Sequence, residues 1–270
     1  MYAKLLAYEI RSRYRADARS FGAFIVTIAV ASGIVAAGLP GISGFTAVLA
    51  YALCSLTPVA CAIAAMADYW KTLYGQRGYF MMSLPVSGTT IFWAKTTRMV
   101  IECLLALALA VGGIIAVASA AAWSDGISLA EYTAGPRSLV AGVPTSTVAI
   151  MIVAQVLVSL SWLVQGSAVM SIGAEGRFNH MGFGAPIIGF VLLYIVNQVL
   201  STVGTFFLPL SVTTDGHFST EIMWTSYRAT MGTDGQPNVI GIGSYVLVPL
   251  FALILGLWAS RSIEKHTSLR

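Results

Sequence analysis

Thr97–Ala122 reads TRMVIECLLALALAVGGIIAVASAAA, and beyond Glu102 it carries no charged side chain. A helix rises about 1.5 Å per residue, so such a run crosses a hydrocarbon layer of roughly 30 Å with length to spare. It is apolar on every face, which a helix at the surface of a soluble domain is not. Lipid offers no hydrogen-bond partner to the backbone, so a segment of this kind must be helical.

Five further runs have the same character: Phe21–Leu39, Phe45–Met66, Thr147–Ile172, Gly182–Leu208 and Ile242–Ala259. The composition agrees, with 57% hydrophobic and 10% charged residues and a mean hydropathy of +0.81, outside the range of soluble domains. The expected fold is an all-α membrane protein: six transmembrane helices in one domain over residues 1–270, with no loop large enough for a second domain.

The basic residues orient the spans. Of the 15 Lys and Arg residues, 13 fall before, after or between spans on one side if alternate connections face the same way, and 2 fall on the other. The positive-inside bias then puts both termini in the cytoplasm. Counting Asp and Glu, the inner face is about +8 and the outer about −3 by the same bookkeeping. A sequence pI of about 9.0 could suggest nucleic acid, but basic residues flanking spans are explained by anionic lipid. No nucleic-acid partner is expected. Cys54, Cys61 and Cys103 all fall inside spans and read as small apolar fillers.

At the N-terminus the basic start and Ala29-Val30-Ala31 resemble a signal peptide, but the apolar sequence continues to Leu39, so an uncleaved anchor is expected. Residues 1–20 place Tyr2, Leu5, Leu6 and Ile10 on one arc, with Lys4, Arg11, Arg15 and Arg19 elsewhere. Two readings are open: an amphipathic helix at the inner surface that turns into the first span, or a positively charged anchor only. Pro40–Gly44 makes spans one and two antiparallel neighbours. Longer outer connections follow at Trp123–Ser146 and Pro209–Gly241, the latter opening on an apolar Phe206–Leu210 stretch with the character of a re-entrant or interfacial element.

The connection between spans two and three, from Asp68 to Arg98, is too aromatic for a solvated turn. Gly75 and Gly78 permit sharp bends, Ser83 suits a helix cap and Pro85 a first helical turn, with helix continuing from Val86 into span three. Exposed apolar residues here either pack under the bundle or offer a docking face.

This loop resembles a known family. A basic residue (Arg77), then Gly78-Tyr79-Phe80, a short gap, Leu84-Pro85-Val86-Ser87, and Lys95 at the foot of span three are similar to the permease subunits of ABC exporters of the ABC-2 type. The six-span plan is also similar, though the specific match covers about twenty residues. The resemblance implies that the loop forms a cytoplasmic coupling helix docking on a separate ATPase through Tyr74, Arg77, Gly78, Tyr79, Phe80, Met81, Leu84, Pro85 and Ser87. It implies a second contact at Glu175 and Arg177, and Lys95 and Arg98 anchoring the helix foot at lipid headgroups. It further implies two permeases with two ATPases in a bacterial cytoplasmic membrane. This chain has no G-x-x-x-x-G-K-[ST] phosphate loop, so ATP and magnesium would sit on the partner and no cofactor on this chain.

Within the membrane Glu102 stands out, and its spacing from Arg98 suits an i,i+4 structural pair. Gln155, Ser159, Trp162 and Gly166 share one helical face of span four, and Asn197 and Gln198 lie in span five. They line a translocation path or bond helix to helix, and both readings stay open. An enzyme is disfavoured, because H-E-x-x-H and G-x-S-x-G are absent and His180, His217 and His266 lie in separate loops, so no metal site is expected. A secondary transporter would want deep coupling carboxylates or related halves. A non-transporting scaffold or sensor would work through the outer loops.

Overall fold

The computed structural model describes residues 1–75, 78, 81, 83, 85–182, 184–232 and 235–265. Among the described residues, six helices are long and apolar enough to cross a membrane: α1 (Tyr2–Ala36), α2 (Ile42–Leu73), α3 (Gly88–Asp125), α6 (Thr145–Gly173), α7 (Gly184–Phe207) and α9 (Ser244–Lys265). Between α3 and α6 lie the short helices α4 (Leu129–Tyr132) and α5 (Ala134–Ser138). Between α7 and α9 lie β1 (Ser211–Thr213), β2 (Phe218–Ser219), α8 (Met223–Thr230) and β3 (Val239–Gly241). The helices are inside-out by soluble standards: Val48 and Ile63 are each 65% exposed on α2, while small residues such as Ala50, Cys54 and Ala65 are buried. This is the surface a bilayer covers, and the chain is a multi-pass membrane protein.

Several helices outrun their apolar runs. α1 is unbroken over 35 residues, so residues 2–20 do not turn away from the first span but extend it. The continuity has a physical reason, because the apolar and polar halves bury one common face. Leu5, Glu9, Phe24, Ile28 and Val35 are its buried residues, with Arg13 and Asp17 part-buried between them. The connection to α2 is made by Gly38 and Gly41, at φ 64° and 74°, a backbone conformation that residues with a Cβ rarely adopt. α3 starts at Gly88 and not at Val86. Ser87 caps it, its hydroxyl 3.3 Å from the Thr90 amide and 2.9 Å from the Thr90 hydroxyl. Pro85 and Val86 sit in a bend before the helix, and Ser83 is not its cap.

The chain is predominantly helical, as expected, and a small sheet lies in the connection between α7 and α9. β1 pairs antiparallel with β2 and with β3, giving the order β2-β1-β3. Ser211 binds the arrangement together, donating to the carbonyls of Glu221 at 2.8 Å and Ser219 at 3.2 Å. Phe207 and Trp224 pack at 5.7 Å and Trp224 stacks on Tyr227 at 6.0 Å, tying α8 to the end of α7. Of the Phe206–Leu210 stretch, Phe206 and Phe207 end α7, and Leu208 to Leu210 lead on to β1.

The chain forms two compact units, Met1–Tyr69 with Ala94–Leu139, and Trp70–Trp93 with Val140–Arg270. In the first, Phe24 and Ile28 of α1, Ala50 and Cys54 of α2 and Val117 of α3 make the apolar core. A Cβ on Gly113 would come within 2.7 Å of the Cys54 sulfur, so the glycine lets α3 approach α2. In the second unit, α6, α7 and α9 pack together. α7 and the start of α9 meet at glycine: a Cβ on Gly204 would lie 2.6 Å from the Ser244 nitrogen. Such small-residue crossings are how helices associate where lipid removes the hydrophobic drive.

Candidate functional site

The most organised polar site of the first unit lies on α1, α2 and α3. On α1, Glu9, Arg13 and Asp17 recur every four residues and so share a face. On α3, Lys95, Arg98 and Glu102 also recur at three to four residues, and all three are buried. Asp68, near the end of α2, completes the set.

Arg98 is the centre. Its guanidinium is 2.7 Å from Glu102 Oε1 and 2.9 Å from Asp68 Oδ2, with Glu9 Oε2 at 3.9 Å. Lys95 Nζ meets Glu9 Oε1 at 3.0 Å. Arg13 meets the other Asp68 oxygen at 2.7 Å, and its Nε stands 3.5 Å from Asp17 and 3.8 Å from Glu102. Asp68 thus bridges two arginines from different helices, a fork that only guanidinium geometry fills well.

Burial sets the magnitude. Arg98 is 2% exposed and Lys95 1%, so these are not surface pairs of the kind that contribute nearly nothing. Removing one partner of such a set leaves an uncompensated charge and costs about 3–5 kcal/mol. The same burial corrects one expectation: Lys95 and Arg98 do not anchor α3 at lipid headgroups, because Glu9, Asp68 and Glu102 hold them inside the protein. The Arg98–Glu102 pair is present as an i,i+4 contact, but it is one edge of a seven-residue network.

The network joins the two helices that flank the loop between α2 and α3. Asp68 lies five residues before the end of α2, Lys95 and Arg98 lie seven and ten residues into α3, and the Asp68–Arg98 pair ties the two helices together inside the loop's ends. Within the loop, Trp70 and Tyr74 pack with ring centroids 5.1 Å apart. Gly78 and Met81 have helical backbone and are buried, and the Gly78 amide donates to Gly75 O at 2.8 Å. Pro85 and Ser87 are exposed. Arg77, Tyr79, Phe80 and Leu84 lie outside the described residues.

In the second unit, Gly88 abuts the last turn of α9, where a Cβ would stand 2.8 Å from the Glu264 nitrogen. Glu175 is also spent on α9. Ser262 donates to its Oε1 at 2.7 Å and Arg177 Nε pairs with its Oε2 at 2.7 Å. Of the two residues singled out there, Glu175 is buried and Arg177 is exposed, lying 4.6 Å over the Phe178 ring.

The polar residues of α6 and α7 do not converge on one path. Gln155 accepts from Tyr245 at 3.0 Å, and both line an open cavity of about 580 Å³ beside the small sheet. Ser159 is turned back on its own helix, donating to Gln155 O at 2.8 Å. Trp162 is 39% exposed and Gln198 is exposed. Asn197 is buried and donates to Gln165 Oε1 at 2.6 Å, while Gln165 donates to Val248 O at 3.1 Å. Gln165 is the residue that sequence reasoning missed. It is fully buried and links α6, α7 and α9, next to Pro249, where the α9 ladder lacks a donor.

Comparison of the chain with family models, with curated proteins and with solved structures finds no match in any of the three.

Proposed function

We propose that this chain is the membrane-spanning permease subunit of an ATP-driven exporter, working with a second permease copy or a relative and with separate ATPase subunits. The observation that supports the reading is the buried ion network that joins the two helices flanking the loop that holds the Gly78–Ser87 segment. A loop that only connects two spans needs no buried clamp, whereas a loop that receives force needs its root fixed to the bundle.

In this reading the loop faces the cytoplasm of a bacterial cell, as the basic-residue bias favours. ATP and its magnesium sit on the partner, whose closure pushes on the loop. Displacement reaches α2 at Asp68 and α3 at Lys95 and Arg98, and Arg13 and Glu9 pass it to α1. Closely packed ion pairs switch between discrete arrangements and do not stretch gradually, so they suit a two-state transmission. Glu175 and Ser262 fix the second loop to α9 in the same manner. The cargo is a peptide, a lipid or a drug.

The test is affinity isolation of the full chain from its native membranes. A co-purifying ATP-hydrolysing subunit is expected, and Tyr79→Asp or Leu84→Asp abolishes its recovery while the chain stays folded. Undiminished recovery with both variants refutes the docking role.

A further inference from the structure

Cys54, Cys61 and Cys103 are free thiols in different surroundings. Cys54 is fully buried in the apolar core of the first unit, where it acts as a small filler. Cys61 of α2 and Cys103 of α3 instead have their thiols in hydrogen-bond contact with each other. That contact lies on a seam pinned on both sides. Asp68, seven residues after Cys61 on α2, pairs with Arg98 at 2.9 Å. Cys54, seven residues before it, meets α3 at Gly113, where a Cβ would stand 2.7 Å from its sulfur. Seven residues make about two helical turns, so the three α2 positions share one face. Cys103 falls between Arg98 and Gly113 along α3.

The two thiols differ in access. Cys61 is half-buried and lines a groove of about 420 Å³ along α1 and α2, with Arg13, Asp17 and Glu102 at one end. Cys103 is 7% exposed and stands behind it. The guanidiniums of Arg13 and Arg98 act on Cys61 through space, opposed by the Asp17 carboxylate. A part-exposed thiol near cations is the kind an oxidant reaches, whereas a buried thiol stays inert until a reactive sulfur forms against it.

We propose that Cys61 and Cys103 are a site of oxidation by organic hydroperoxides, Cys61 as the attacking thiol and Cys103 as the resolving one, ending in a disulfide that joins α2 to α3. The Cys61 sulfur attacks the peroxide, the O–O bond breaks, and an alcohol leaves with the thiol proton, so Cys61 becomes a sulfenic acid. The Cys103 sulfur then displaces the sulfenic hydroxyl, which takes the Cys103 proton and leaves as water. The two sulfurs give up two electrons and the peroxide accepts them. Thiols already in contact need the least backbone movement to reach the roughly 2 Å of a disulfide. The bond closes residues 61–103 into a ring containing the whole loop between α2 and α3, which limits how far the two helices can separate. The inference is independent of the transport reading.

The experiment treats the full chain in nanodiscs with cumene hydroperoxide, denatures it, alkylates the remaining thiols with N-ethylmaleimide and maps the digest by mass spectrometry. Untreated protein carries the label on all three cysteines. Treated wild type is expected to carry it on Cys54 alone and to yield a linked Cys61–Cys103 peptide that dithiothreitol separates. Cys103→Ser, lacking the resolving thiol, accumulates a dimedone-trapped sulfenic acid at Cys61. Cys61→Ser slows the loss of the Cys103 thiol about tenfold or more, as expected of a buried cysteine. Circular dichroism confirms that both variants keep their helices. A link through Cys54, a link between two chains, or full labelling of all three cysteines after treatment overturns the proposal. So does oxidation of Cys61 to sulfinic acid while Cys103 stays labelled, which would leave the neighbouring thiol without a resolving role.

Discussion

Replacing Arg98 by Met keeps roughly the side-chain length and removes the charge at the centre of the network. Asp68 keeps Arg13 at 2.7 Å, but Glu102 loses its 2.7 Å partner and is left with Arg13 Nε at 3.8 Å. Because Arg98 is 2% exposed, the loss is that of breaking a buried set, about 3–5 kcal/mol, or at least a hundredfold in the folding equilibrium. Arg98→Met/Glu102→Gln removes one charge of each sign and restores the balance of the wild type, so it regains about 1–3 kcal/mol of that loss. The assay is reversible denaturation in mixed micelles followed by circular dichroism, with each single variant and the pair forming a double-mutant cycle. A cost under about 1 kcal/mol for Arg98→Met, in the range of exposed pairs, would refute the claim that the network is a buried clamp.

The other expectations are smaller and independent. Gly204→Ala sets a Cβ 2.6 Å from the Ser244 nitrogen and destabilises by about 1–3 kcal/mol, whereas Gly22→Ala, with nothing within 4 Å, is neutral or stabilising by about 0.5–1 kcal/mol in the same denaturation assay. Gln165→Leu removes the link from Asn197 to Val248 and costs about 0.6–2 kcal/mol, the size of interhelical hydrogen bonds in membranes. Ser87→Ala removes the α3 cap and costs about 0.5–2 kcal/mol, read as faster amide exchange at Thr89 to Ile91. Arg177→Gln stays within about 1 kcal/mol of wild type because Ser262 still donates to Glu175 and the arginine is 60% exposed.

The six spans were legible because lipid permits one backbone solution to a long apolar run. Their ends were not, since the bilayer limits the apolar residues and not the helix. α1 runs on through Glu9, Arg13 and Asp17, and α3 begins well before its apolar stretch. The Arg98–Glu102 spacing could be read from one helix, and the Glu9–Arg13–Asp17 ladder carries the same four-residue signal, visible once each charge is indexed to a face. Asp68 gave no such signal, because what pairs it with Arg13 and Arg98 is tertiary proximity across 55 and 30 residues of chain. Ser83 and Ser87 offer the same capping chemistry, and Thr90 three residues on favours the second. The sheet escaped notice because strands of two and three residues cannot show alternation, and Ser211 reveals its role only through partners eight and ten residues away. Gln165 lay hidden for the opposite reason to Gln155: a single amide in an apolar helix looks alike whether it faces a cavity or a neighbouring carbonyl.

The transport reading turns on what the loop between α2 and α3 touches in the cell. A photo-crosslinking amino acid placed at exposed Ser83, and separately at Leu139, 84% exposed in a connection assigned to the opposite face, asks that question in intact membranes. Ser83 is expected to form an adduct with a protein carrying a nucleotide phosphate loop, and Leu139 is not. Absence of an ATPase adduct at Ser83, or the same adduct at both positions, would contradict it.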